Sequence, residues 1–159
     1  MKCSCCGKDL GEFTTDIAYE LPDIVWNIPA DNRKSKARFN SDFCKLDGKH
    51  FIRGIAYVPI KNSGIEFGWG FWVDVSEESF NKYLSVYEVD GSNEPPIKGK
   101  LANTPTGYER TENQEVQVRF GSPDDRPTIT LLPSEHLSFN EQSQGISIER
   151  LHEINQCIS

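Results

Sequence analysis

The sequence of 159 residues has the length of one globular domain, and its 36% hydrophobic and 11% aromatic residues exclude a disordered chain. The formal net charge of -7 argues against binding to nucleic acid or to an anionic membrane and suits a basic protein partner. No apolar run reaches the roughly 20 residues of a membrane-spanning helix, and the first residues lack the pattern of a signal peptide. We therefore expect a single cytoplasmic domain over residues 1–159.

The N-terminus contains Cys3-Ser4-Cys5-Cys6-Gly7, in which Cys3 and Cys6 have the spacing of half a zinc knuckle. A tight turn would bring both thiolates to one metal ion, and the glycine can adopt the positive φ that such a turn needs. The pair could instead be a redox-active dithiol, but it neither follows a strand nor begins a helix, where a thiolate would be stabilised. We predict a cysteine knuckle over residues 1–12, followed by an α+β body over residues 13–159.

A short basic stretch follows at residues 33–38. Asp31 and Asp42 flank it, so that its charges are partly balanced by neighbours in sequence. We interpret the stretch as a solvated turn or short helix, and an anion-binding patch is the alternative.

A structural zinc site needs four ligands, and Cys44 and His50 are the candidates for the remaining two. They flank Asp47-Gly48, a turn sequence that could direct both side chains toward one point. Cys5 or Cys157 could replace one of them, although we expect Cys157 to be a small core residue. Five unevenly spaced cysteines do not suggest a disulfide framework, so free or buried thiols are the alternative to zinc.

Two strands joined by a hairpin are predicted in the middle of the chain. Apolar residues alternate with period two over residues 65–75, and residues 51–60 have the composition of a second strand. The linker over residues 61–64 has the length and glycine content of a hairpin loop. We therefore expect the two strands to pair antiparallel.

A helix is predicted directly after this strand pair. Ser76 can cap its N-terminus, and Phe80, Tyr83, Leu84 and Tyr87 recur at helical spacing. Weaker alternation predicts further strands near residues 116–120 and 129–131, joined by a hairpin.

The chain is predicted to end in a helix after a cap at Ser147. Its apolar stripe consists of Ile148, Leu151, Ile154 and Ile158. The order of elements predicts an α+β fold with a mainly antiparallel sheet, a helix after the central strand pair, a C-terminal helix and the N-terminal cysteine knuckle.

Arg53 and Trp72 are candidate binding residues in the predicted strand pair. Arg53 shares a strand face with apolar residues, which suggests either an anion or partner site or an arginine paired with Glu66 across the hairpin. Trp72 shares its strand face with Gly68 and Gly70, and would be a binding anchor if it is exposed or a packing residue if it is buried.

Histidines supply the remaining candidate chemistry. His136, beside Glu135, could bind a ligand or act as a base, but a histidine in a polar loop is more often solvated. His152 is expected to face solvent on the terminal helix. The sequence contains no nucleophile elbow, phosphate-binding glycine loop or zinc-protease helix, so the common hydrolase and nucleotide-binding signals are absent.

Characteristic segments are spread over nearly the whole chain. They are Cys3-x-x-Cys6-Gly7, Asp42-Phe43-Cys44, His50-Phe51-Ile52-Arg53-Gly54, Trp69-Gly70-Phe71-Trp72-Val73, Phe80-x-x-Tyr83, Gly99-Lys100-Leu101-Ala102-Asn103, Arg126-Pro127-x-Ile129, His136 and Gln144-Gly145-Ile146. Together they resemble the bacterial domain-of-unknown-function family 2199. The resemblance implies a small bacterial cytosolic protein with an N-terminal cysteine knuckle, and it implies no activity. The family commonly has a histidine a few residues after the knuckle glycine, where this chain has Lys8-Asp9-Leu10.

The leading functional hypothesis is a non-enzymatic protein-binding domain with a structural zinc knuckle of Cys3, Cys6, Cys44 and His50. Its partner would be a protein, and a basic toxin domain neutralised by this chain as an immunity protein fits the acidic charge. The rival is a metal-dependent enzyme or thiol sensor that uses the same cysteines and histidine. A third hypothesis places the working surface around Arg53 and Trp72.

Overall fold

Two long strands, β4 (Lys49–Ile60) and β5 (Ile65–Val75), form the centre of the computed structural model, which describes residues 1–111 and 114–158. They pair antiparallel along their whole length, with Ile60 opposite Ile65 next to the connecting loop. The predicted central hairpin is therefore confirmed.

The other strands complete a closed sheet. They are β1 (Asp16–Ala18), β2 (Ala37–Phe39), β3 (Phe43–Leu46), β6 (Ile97–Leu101), β7 (Glu115–Arg119) and β8 (Thr128–Leu131). The order β5-β6-β7-β8-β4, with β4 paired back to β5, closes a five-stranded barrel in the described part of the chain. β1 adds to β5, while β3 and then β2 add to β4.

The α+β class is confirmed, but the expectation of a mainly antiparallel sheet is only partly right. β1 runs parallel to β5 and β8 runs parallel to β4, so the sheet is mixed. The barrel closes where the Ile55 amide donates a hydrogen bond to the Pro127 carbonyl, at 2.9 Å. This contact joins distant segments, and such nonlocal pairing leaves no periodic signal in the sequence.

Five α-helices surround the sheet in the described residues. They are α1 (Asp23–Trp26), α2 (Ala30–Lys36), α3 (Glu77–Ser85), α4 (Leu137–Gln144) and α5 (Ile148–Ile158), and a short 3-10 helix spans Leu10–Glu12. The predicted cap of α3 is confirmed, because the Ser76 hydroxyl accepts a hydrogen bond from the Ser79 amide at 3.1 Å. α5 is the predicted terminal helix, whereas α4 had no clear sequence signal.

The hydrophobic residues form two cores. The main core takes side chains from all five barrel strands and packs α3 and α5 against them, and Leu151 and Ile154 of α5 are buried in it as predicted. Ile158, predicted to continue the same stripe, is 41% exposed. The second core lies on the other face of β4 and β5, where Phe51, Cys44 and Trp72 pack against residues near α1. None of the helices in residues 1–111 and 114–158 has the length and apolar character needed to span a bilayer.

Candidate metal centre and predicted binding residues

One group of side chains in residues 1–111 and 114–158 is arranged to share a metal ion. Cys3, Cys6 and His152 each offer a ligand atom, and the three atoms lie within 4.8 Å of one another. The His152 Nδ1 atom is 3.2 Å from the Cys6 Sγ atom. Cys3 is buried, whereas Cys6 is exposed and His152 is half-buried. Two thiolates and one imidazole are ligands that zinc prefers.

The knuckle itself folds as the sequence predicts. Gly7 has a φ of +77°, and its amide donates to the Cys3 carbonyl at 2.8 Å. The Cys3 amide donates in turn to the Lys8 carbonyl at 2.9 Å, which closes the turn. The Cys5 amide points at the Cys3 Sγ atom at 3.4 Å. An N–H group directed at sulfur stabilises a thiolate, which is the form that binds a metal.

The charge state of Cys3 follows from these contacts. Burial acts to raise the pKa of the Cys3 thiol, but hydrogen bonds from the backbone amides and the side chains of Cys5 and Cys6 together lower it more, and the resulting pKa lies below the ordinary value. The neighbouring Cys5 behaves in the opposite way, since burial and then the charge of Cys3 raise its pKa. The turn therefore favours the thiolate form of Cys3.

Helix α5 holds the knuckle through three polar side chains on one helical face. Glu149, His152 and Asn155 follow one another at intervals of three residues, beside the buried stripe of the same helix. The Glu149 carboxylate accepts a hydrogen bond from the Ser4 amide at 2.9 Å. The Asn155 side chain accepts from the Thr14 amide at 2.9 Å and donates to the Thr14 carbonyl at 3.0 Å. The N-terminal segment is thus fixed to the C-terminal helix on both sides of His152.

The structure does not bring Cys44 and His50 to the knuckle. The turn at Asp47-Gly48 forms, with positive φ at both residues, and it places Leu46 opposite Lys49. This register pairs Cys44 with Phe51 and pairs Lys45 with His50, so Cys44 and His50 point to opposite faces of the sheet. Two side chains on opposite faces cannot bind one metal ion.

Each of these two residues has a packing environment instead. Cys44 is fully buried in the second core, and burial raises the pKa of its thiol to about 11. The His50 ring packs against Phe80 of α3, with 5.1 Å between ring centroids. Packing against neighbouring strands and α3 therefore explains the positions of the Cys44 and His50 side chains.

The two remaining cysteines lie outside the three-residue group. Cys5 is exposed next to Cys3, and Cys157 is exposed near the end of α5, where it contacts the Gly107 backbone region. The expectation that Cys157 is a core residue is therefore wrong, because α5 turns that position away from the buried stripe.

Arg53 and Trp72 are direct neighbours across the central hairpin. The Arg53 guanidinium lies 5.5 Å from the centre of the Trp72 ring, and Glu66 is opposite Pro59 rather than Arg53. Trp72 is fully buried, and its indole N–H donates to the Tyr19 carbonyl at 2.9 Å. Trp72 is therefore a packing residue that supports Arg53, while Arg53 itself is half-buried at the edge of an open groove.

His136 is the N-cap of α4. Its Nδ1 atom accepts a hydrogen bond from the Ser138 amide at 3.0 Å, and its Nε2 atom lies 3.0 Å from the Glu109 carbonyl. Because a carbonyl can only accept, the hydrogen bond to Glu109 is donated by Nε2. Both ring nitrogens are thus engaged in holding the fold.

Sequence reasoning missed His152 as a ligand. The helix and its buried stripe were predictable, and they place His152 on the flank of that stripe. The separation of 146 residues from Cys6 hides the pairing itself. The absence of a histidine after Gly7 was the available signal that a more distant one could replace it.

Comparison with known proteins yields one family. The family profile described as "Uncharacterized protein conserved in bacteria" matches residues 2–146. No curated protein and no solved structure gives a significant match. The matched segment includes Cys3 and Cys6 but ends before His152. Since the match covers most of the sequence, the chain belongs to the bacterial domain-of-unknown-function family 2199.

Proposed function

We propose that this chain is a non-enzymatic protein-binding domain whose N-terminus and C-terminal helix are joined by a structural zinc ion. The observation that carries the zinc site is the convergence of Cys3, Cys6 and His152 within 4.8 Å. A zinc ion bound by these three side chains would take its fourth ligand from outside the group, and by joining the N-terminal segment to α5 it would stabilise the folded state. In this proposal His152 takes the place of Cys44 and His50, which the sequence suggested as ligands beside Cys3 and Cys6.

The surroundings of the three ligands fit a structural role. Ser4, Thr14 and Phe13 all contact α5, so the ligands lie at an interface that is held by further contacts. Phe13 packs edge-on against the His152 ring, with 6.1 Å between centroids, which restricts the orientation of the imidazole. Ordered surroundings of this kind keep metal ligands in place.

The contacts of the histidine side chains support the non-enzymatic part of this proposal. His136 caps a helix, His50 packs against Phe80, and His152 lies beside Cys6. Each described histidine thus has a structural contact, which supports a binding role over a catalytic one. We propose a cytoplasmic location and a protein partner, and the net charge of -7 favours a basic one, such as a toxin domain that this chain neutralises.

A second candidate, a metal-dependent enzyme or thiol sensor, is favoured by the number of ligands. Three protein ligands leave one position of a tetrahedral zinc site for water or another group, which is the arrangement of catalytic zinc sites. Cys6 is exposed and would be accessible to a reactant. The two candidates differ in whether small ligands can reach the metal.

Cobalt substitution tests the two candidates. We expect Co²⁺ to give the visible absorption of a tetrahedral site with thiolate ligands, and to lose it in Cys3→Ser and His152→Ala but not in Cys157→Ser. A spectrum that stays the same when azide or cyanide is added supports the structural site. A spectrum that changes with these anions supports the open site of the second candidate. Absence of thiolate-to-cobalt bands in the wild-type protein would exclude a metal site of either kind.

Affinity capture tests the partner. The wild-type protein would be immobilised on a resin and incubated with native bacterial cytosol, including extract from toxin-bearing strains. We expect one protein to be retained in stoichiometric amount, and a basic isoelectric point of that protein would support the immunity role. Failure to retain any stoichiometric protein would contradict the protein-binding proposal without affecting the zinc proposal.

A further inference from the structure

An open groove of about 530 Å³ lies beside the second core, between α1, α2, β2 and β4. It is lined by Glu20, Trp26, Arg33, Lys34, Phe39 and Arg53. We propose that this groove binds an acidic segment of a protein partner whose remaining surface is basic. The proposal rests on the protein-binding function proposed above, and it is independent of the zinc site.

The charge of the groove is opposite to that of the whole chain. The chain carries a net charge of -7, whereas Arg33, Lys34 and Arg53 face one carboxylate, Glu20, in this groove. The basic stretch over residues 33–38 and the arginine in β4 were separate features of the sequence, and the fold brings them together. A local excess of positive charge on an acidic protein selects an acidic ligand.

Arg53 retains hydrogen-bonding capacity toward a ligand. One of its terminal nitrogens donates a single hydrogen bond, to the Ser41 carbonyl at 3.2 Å. The Nε atom is buried without a hydrogen-bond partner in the described residues, so a ligand in the groove would bind the terminal nitrogens. The Trp72 ring supports the guanidinium from below, at 5.5 Å. An arginine that is positioned by packing and only partly bonded is well suited to bind a carboxylate.

The groove also has exposed aromatic walls. The Trp26 side chain is 53% exposed and the Phe39 side chain is 38% exposed. Arg33 stacks on Trp26 at 4.5 Å and donates to the Trp26 and Ile28 carbonyls, which restricts the indole. Tryptophan and arginine together are the residues that most often dominate binding energy at protein interfaces. The aromatic walls therefore favour a peptide that carries apolar as well as acidic side chains.

The neighbouring strand favours an extended peptide. β2 is the last strand in the sheet order, so its outer edge is not paired with another strand in the described part of the chain. Arg38 and Phe39 of β2 are exposed. An edge strand with exposed positive and aromatic side chains can accept an extended acidic segment along the groove.

Fluorescence provides a direct test because Trp26 is the exposed one of the three tryptophans, with Trp69 and Trp72 buried. The probe is a fluorescein-labelled peptide of repeating Glu-Phe-Glu-Leu, compared with the same peptide in which glutamine replaces glutamate. We expect the acidic peptide to bind, to change the Trp26 emission, and to bind more weakly at higher salt. Trp26→Phe should abolish the emission change.

Matched charge variants decide the outcome. Arg53→Gln should weaken binding of the acidic peptide about tenfold, which is the scale of one charge-assisted hydrogen bond. Lys98→Gln, at an exposed position of β6 outside the groove, should leave binding unchanged. Lys34→Gln serves as a second groove variant if Arg53→Gln is less stable. The proposal would be overturned if the groove variants and the control variant bound the acidic peptide equally well. It would also be overturned if the glutamine peptide, or free glutamate, bound the wild-type protein as tightly as the acidic peptide does. Metal content, measured on the same samples, reports on the zinc site separately.

Discussion

The His152 Nδ1 atom lies 3.2 Å from the Cys6 Sγ atom, although 146 residues separate the two in sequence. This contact fixes the N-terminal segment to α5, together with the hydrogen bonds that the Ser4 and Thr14 amides donate to Glu149 and Asn155. Because the three ligands come together only in the folded chain, a metal ion at this position stabilises the folded state by its binding free energy.

Removal of the metal should lower thermal stability. A ligand that binds only the folded state, at about a hundredfold excess over its Kd, contributes about 2.7 kcal/mol, which corresponds to about 5–10 °C in a domain of this size. We therefore expect a chelator, or Cys3→Ser, to lower the melting temperature of the wild-type protein by about this amount. Scanning calorimetry measures it. Cys157→Ser is the control, because Cys157 is exposed and outside the ligand group. An equal decrease in both variants would contradict the assignment.

Replacing His152 or His50 distinguishes the ligand set seen in the structure from the one predicted from the sequence. His152→Ala should weaken zinc binding by more than the roughly 10–100-fold that follows loss of an outer-shell partner. His50→Phe should leave zinc binding unchanged, because His50 packs on Phe80 and a phenyl ring preserves that contact. Competition with a chromophoric chelator gives both affinities. The reverse result would restore the original ligand set.

Stability should decrease at alkaline pH because of Cys44. Burial raises the pKa of this thiol from 9.0 to about 11 in the folded state. The unfolded state therefore loses this proton at lower pH than the folded state, and the free energy of unfolding falls as the pH rises from about 9 to about 11. Urea titrations across this range measure the slope. Cys44→Ala should reduce the slope, and an unchanged slope would exclude Cys44 as its cause. Buried Tyr83 and half-buried Tyr108 also have raised pKa values and add to the loss at higher pH.

The cap of α4 should contribute measurably to stability. His136→Ala removes the acceptor of the Ser138 amide and should cost about 1 kcal/mol, whereas His136→Asn retains a capping group and should recover most of that loss. Urea denaturation of the three proteins provides the comparison. If the asparagine variant were as unstable as the alanine variant, the cap would not be the reason.

The parts of the fold that depend on local sequence could be predicted. The central hairpin followed from alternation in β5 and a glycine-containing loop, α3 from its cap and spacing, and the knuckle turn from Gly7. The error at Cys44 and His50 was avoidable in principle. A two-residue turn at Asp47-Gly48 fixes the register, and that register places the two side chains on opposite faces.

The remaining features depend on contacts between distant segments. Barrel closure requires β8 to meet β4 at Ile55 and Thr128, and the metal centre requires α5 to meet the knuckle. The groove requires α2 to approach Arg53, which lies on a different element. Secondary-structure propensity and hydrophobic periodicity do not indicate such contacts, because both depend only on the residues within one segment and not on where that segment lies in the fold.

The central claim is a zinc ion bound by Cys3, Cys6 and His152. The most direct measurement is the metal content of the wild-type protein, purified without a metal-affinity column, by elemental mass spectrometry alongside His152→Ala. We predict about one zinc ion per wild-type chain, as expected for a single three-residue group, and a large loss in the variant. A folded, metal-free wild-type protein that does not take up added zinc would contradict the claim.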